Sequence, residues 1–70
     1  MSRIEDIREQ IRSYSPGLDE SQVRYAAEVT FIREGYVQRM ADTKPFSQEW
    51  NDLSKSIAEC EVVLARYGLV

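Results

Sequence analysis

The sequence predicts an all-α fold of three helices, on the strength of one stripe, two helix starts and the overall composition. From Phe46 onward large apolar residues recur at alternating steps of four and three, through Trp50, Leu53, Ile57, Cys60, Leu64 and Tyr67. That spacing draws one narrow apolar seam along a helix, as in a coiled coil. Upstream, Ser2 with Glu5 and Asp19 with Gln22 each place a capping residue three positions before a Glu or Gln, and apolar residues at helical spacing follow. The chain is 43% hydrophobic and 30% charged with three Gly and two Pro, the composition of a folded helical protein rather than a disordered one.

The first helix is expected over 2–14. Ile4, Ile7, Ile11 and Tyr14 form its apolar seam, and Glu5 to Arg8 and Glu9 to Arg12 are its candidate surface pairs. Ser15-Pro16-Gly17 ends it, because a proline biases the residue before it away from helical angles and glycine accepts positive φ. The second helix is expected over 19–41, with Asp19 as N-cap, Gln22 reaching back and Leu18 stapling onto Val23. It carries two apolar faces. Tyr25, Val29, Ile32, Tyr36 and Met40 make one stripe, while Val23, Ala27 and Phe31 lie on another side at about 100° per residue. A helix with two apolar faces reads as the central element, touching the third helix on one side and either the first helix or a second subunit on the other. Gly35 within it costs about 1 kcal/mol relative to Ala, which suggests close helix approach, a slight bend or simply tolerated strain.

Asp42-Thr43-Lys44-Pro45 breaks the pattern, and the third helix is expected over 45–67 with Pro45 in its first turn, where the missing N–H is no loss. Gly68 then serves as left-handed terminator and Leu69 folds back on Leu64 in a Schellman ending. The second and third helices form a long antiparallel hairpin, with the shorter first helix packed across it. Residues 1–70 read as one helical domain, without repeat or linker.

Several chemistries lack their groups. There is no histidine, the side chain best placed for proton transfer near neutral pH and the commonest nitrogen ligand of zinc. The three glycines are isolated, so no phosphate-cradling loop is present. Asp52, Glu59 and Glu49 fall on the outward side of the third helix among Lys55, Asn51 and Gln48, as on a solvated face. Cys60 sits in the seam between Ile57 and Leu64, where a thiol packs as a small hydrophobe. The expectation is no catalytic residue, no cofactor and no metal.

A net charge of -3 gives no global attraction to polyanions. If the second helix were a recognition helix it would meet phosphate with Asp19 and Glu20, and Arg24, Arg33 and Arg39 point different ways around it. Nucleic acid is therefore not expected to bind the isolated chain. No apolar run marks a signal peptide or approaches the roughly 20 residues of a membrane span, and the lone cysteine fits a reducing compartment, so a cytoplasmic location is expected. At 70 residues a core rarely yields more than about 3–5 kcal/mol, which makes self-association or a protein partner the expected means of covering the remaining apolar surface. Candidate contact residues are Phe31 with Val23 and Ala27 on the second helix, and Ala58, Val62, Ala65 and Leu69 beside the seam of the third. Trp50 with Phe46 is either the centre of the core or the anchor of a dimer.

From Leu18 the order of features is a Leu-Asp start, a helix rich in Ala and aromatic residues, a Pro-containing break and a helix ending Ala65-Arg66-Tyr67-Gly68-Leu69. This resembles the helical region of phage small terminase subunits over about fifty residues. The resemblance implies ring-forming oligomerisation and a phage or mobile-element origin. The basic or helix-turn-helix segment of that family has no counterpart here, so it implies no DNA-reading residues and carries over no catalytic ones. The residues and the resemblance together lead to an expectation of a non-enzymatic interaction or oligomerisation module. A nucleic-acid-associated packaging or regulatory subunit is the alternative, followed by a carboxylate-based enzyme or metal protein.

Overall fold

A computed structural model describes residues 2–70, so Met1 of the expected 1–70 unit lies outside the described residues. It contains three α-helices, α1 (Arg3–Tyr14), α2 (Glu20–Ala41) and α3 (Gln48–Ala65), and no strand among the described residues. Each helix starts where a side chain can replace a missing backbone partner. Ser2 Oγ accepts from the Glu5 amide at 3.4 Å. Asp19 and Gln22 form the full reciprocal capping box, at 2.8 Å and 3.0 Å.

The start of α3 corrects the sequence reading. Pro45 is not in its first turn. Lys44, Pro45, Phe46 and Ser47 instead make a turn closed by the Ser47 amide on the Lys44 carbonyl at 3.2 Å. Proline is its second residue and Phe46, with φ of 66°, its third, which is the type II pattern. Ser47 is then the N-cap, its hydroxyl accepting from the Trp50 amide at 3.2 Å. Phe46 thus leaves the seam altogether and is 80% exposed. Its left-handed backbone, usual for glycine at this position, costs a phenylalanine about 1–2 kcal/mol.

The other end of α3 closes as expected. Leu69 N–H reaches the Leu64 carbonyl at 3.1 Å and Gly68 N–H the Ala65 carbonyl at 3.0 Å, the two bonds of a Schellman motif, with Gly68 at φ of 72°. Leu69 turns back to pack against the core cluster, to which Leu64 belongs.

Both outer helices pack antiparallel on α2, which is the central element. Arg3 meets Glu34 at one end of α1 and Arg12 meets Glu20 at the other. Arg12 therefore bonds across the turn to α2 rather than to Glu9 on its own helix. On the other flank the Tyr25 and Tyr67 rings lie edge to face at 6.3 Å, and Arg33 faces Glu61 at 3.6 Å. The core comprises Ile7 and Ile11 of α1, Val23, Ala26, Ala27 and Val29 of α2, and Leu64 of α3, with Ile4, Leu18, Cys60, Val63, Tyr67 and Leu69 packed around it.

Burial is uneven along the long axis of a slab measuring 40 × 27 × 15 Å. With 12 residues α1 is about 18 Å long, against about 33 Å for the 22 residues of α2. Every buried residue of α2 lies at or before Val29, in the half that α1 covers. Beyond Glu34 the hairpin has only two helices, and Leu53 alone is buried there. Gly35 is not a close-approach site, since a methyl placed on it would meet nothing within 4 Å.

Three stability outcomes follow from this packing, all measurable by urea unfolding. Ile7→Ala should cost about 2–5 kcal/mol, because it opens a cavity in the one place where all three helices converge. Val62→Ala, on the exposed side of α3, should change stability by less than about 0.5 kcal/mol. Gly35→Ala should stabilise by about 0.5–1 kcal/mol, because the site is helical and open.

Candidate functional site

The chemistry of the surface is simple. Among the described residues no three Cys, Asp or Glu side chains gather as a metal site would require. An apolar groove of about 280 Å³ runs between α1 and the end of α3, lined by Ile7, Ile11, Leu64 and Leu69 together with Thr30 and Arg33. The Thr30 hydroxyl donates to the Ala26 carbonyl at 2.8 Å, so it is engaged within its own helix. Arg33 faces Glu61, and its Nε is buried without a partner. The groove offers apolar contact and one cation, with no nucleophile and no general base.

The expected contact residues do not form one surface. Val23 and Ala27, at 1% and 0% exposure, are core residues covered by α1, which supplies the partner that the sequence left open between α1 and another subunit. Four residues on from Ala27, Phe31 is left 47% exposed. Ala58, Val62 and Ala65 are exposed on the solvent side of α3, whereas Leu69 is half-buried in the groove. Of the seam, Leu53 and Leu64 are buried and Trp50, Ile57, Cys60 and Tyr67 half-buried, with Phe46 outside it. Tyr14, placed on the seam of the first helix by its spacing, projects into solvent instead.

What the hairpin does present is apolar surface on both sides of its contact line. On the far face, which no helix covers, Val29, Ile32, Tyr36, Cys60 and Val63 line a shallow depression of about 190 Å³ with Ser56 and Glu59, and Tyr25 lies exposed on the same stripe. On the near face, where α1 lies, Arg33, Val37 and Met40 follow one another at helical spacing, and Trp50, Ile57 and Glu61 do so on α3. The Arg33–Glu61 pair ties these two stripes together. Phe46 stacks on Trp50 with ring centroids 4.9 Å apart. The sequence already grouped Phe46 with Trp50 but placed Phe46 inside the helix; the signal that sets it outside is Ser47, a capping residue three positions before Trp50.

Two carboxylates of α2 are paired with arginines at the ends of α1. Arg3 grips Glu34 with two parallel bonds, Nη2 to Oε1 at 2.6 Å and Nε to Oε2 at 3.2 Å, the strongest geometry available to this pair. The hydrogen bond from Arg3 holds the Glu34 carboxyl below its ordinary value against the opposing effect of desolvation, with the guanidinium charges of Arg3 and Arg33 acting in the same direction as the bond. Arg12 does the same to Glu20. No family model, curated protein or solved structure matches the chain.

A carboxyl held below its unfolded value contributes stability above that value and loses it as pH falls through the folded one. The contribution of Glu34 should therefore be present at neutral pH and fade below about pH 4.3, the ordinary glutamate value. Glu34→Gln should flatten the acid limb of a stability-versus-pH profile, and the wild-type limb should weaken further in high salt, since the pair is exposed.

Proposed function

We propose that this protein is a non-enzymatic helical interaction module, which works by docking apolar helix faces onto itself or onto another protein. The observation that carries the reading is the exposure of Phe46, Val37, Ile32 and Tyr25 along the hairpin. Large exposed apolar surface bordered by charge is how protein contact sites look. The likeness to phage small terminase subunits supports the same direction, since what it implies is self-assembly, and a phage or mobile-element origin belongs to this proposal. A location in the cytoplasm is part of it too. No helix is long and apolar enough to cross a membrane among the described residues.

Nucleic-acid recognition has less in its favour. Three of the nine cationic side chains, Arg3, Arg12 and Arg33, face a carboxylate of the same chain, and the start of α2 carries Asp19 and Glu20. The test is a gel-shift titration of the purified protein against duplex DNA and RNA at near-physiological salt. Binding should be no tighter than the roughly 10⁻⁴–10⁻⁶ M of nonspecific association. A tight shift that collapses as salt rises would overturn the proposal in favour of a packaging or regulatory subunit.

A further inference from the structure

Two features of the hairpin tip stand out from the rest of the surface. Phe46 is held in a left-handed conformation at the third position of a turn where glycine is the ordinary choice, and the ring this places in solvent rests on Trp50. Backbone held in a costly region at an exposed aromatic points to a use for the ring outside the fold. The second feature is the missing third layer. α1 stops at Arg3 opposite Glu34, and the two turns of α2 beyond it leave Val37 43% exposed and Met40 half-buried on the face that α1 occupies further back.

From these we infer that the open end of the hairpin is a two-fold interface with a second copy of the chain, in which Phe46 of each copy lies in the recess beside Val37 of the other. The recess is a furrow of about 340 Å³ lined by Arg3, Arg33, Glu34, Val37 and Gln38. A projecting ring and a recess on the same face are what a self-complementary contact needs, because each copy then gives what it receives. The two hairpin ends complete a four-helix bundle over the stretch where one chain supplies two helices.

The area is of the right size. At the 150–250 Å² presented by an aromatic side chain, Phe46 leaves about 150 Å² outside the fold. Val37, Met40, Trp50 and Ile57 bring the apolar surface to the order of 400 Å² per copy, near the apolar share of the roughly 800 Å² each partner gives to a standard interface. This sits at the modest end of stable interfaces, so a micromolar dimer is the expectation. The inference rests on the interaction-module reading and names the partner and face.

The experiment is sedimentation equilibrium of the full chain from micromolar to several hundred micromolar, alongside circular dichroism. The wild type should be a dimer. Phe46→Gly keeps the turn and relieves its backbone while removing the ring, so it should weaken dimerisation by about tenfold or more with helicity intact. Val37→Glu should do the same, and Ile32→Glu on the far face should leave the dimer in place. A monomer throughout, a dimer indifferent to both near-face changes, or a dimer lost only with Ile32→Glu would overturn the inference. Ready cross-linking through Cys60 under mild oxidant would also overturn it, since that thiol lines the far-face depression. None of these results bears on the interaction-module reading itself, which fails instead on tight, salt-sensitive nucleic-acid binding.

Discussion

The packing of Ile7 and Ile11 against Val23, Ala26 and Ala27 is the contact on which the rest of the structure depends, because it alone gives α2 a second buried side. Two alanines in succession on α2 leave room for the branched side chains of α1, and the end of α3 closes over them with Leu64 and Leu69. Without α1 the molecule would be a bare helical hairpin, and an isolated pair of helices this size has little core to set against the chain entropy lost on ordering it. The arginine pairs at the two ends of α1 fix its position along α2 more than they add stability, since both are exposed.

That contact also sets the limit of the core. A 12-residue helix laid on one of 22 residues covers about half of it, and the consequences run through the whole surface. Near-face side chains of α2 fall into two populations according to which half they occupy: Val23 and Ala27 under α1 are buried, while Val37 nearer the tip is 43% exposed. On the near face, exposed apolar surface is a product of unequal helix length rather than of any break in the amphipathic pattern. Its electrostatic counterpart is that Arg3 and Arg12, at the two ends of α1, are occupied with carboxylates of α2.

Much of this was legible in the residues, and the misses have identifiable causes. The capping box at Asp19, the break after Ala41 and the Gly68-Leu69 ending are local devices whose chemistry acts over a few residues, so sequence alone reveals them. The centrality of α2 was legible because two apolar faces on one helix require two neighbours. The first turn of α3 was not, because apolar spacing continues through Phe46 and Trp50 whether or not the backbone between them is helical, and Ser47 won the capping position. Ala26, fully buried, was passed over since a methyl group barely registers in a hydrophobic stripe. The choice between α1 and another subunit as the cover for Val23 and Ala27 depended on how the turn at 15–18 redirects the chain, which no periodicity encodes. For the candidate site, the apolar residues themselves were visible, but their division between near and far faces required the helix pairing.

The uneven depth of the core also divides the backbone into regions of different persistence. Amides in the first half of α2 are protected by side chains from all three helices, so they exchange with solvent only when the whole molecule unfolds. The last two turns of α2, the turn at 42–47 and the first two turns of α3 have Leu53 as their only buried side chain, so they are the stretch expected to open while the rest stays folded. The part of the molecule most exposed to contact is thus also the part with the fewest buried side chains to hold it closed. A body that settles on it would restrict that opening, so slower exchange of the amides at 34–55 would report its arrival.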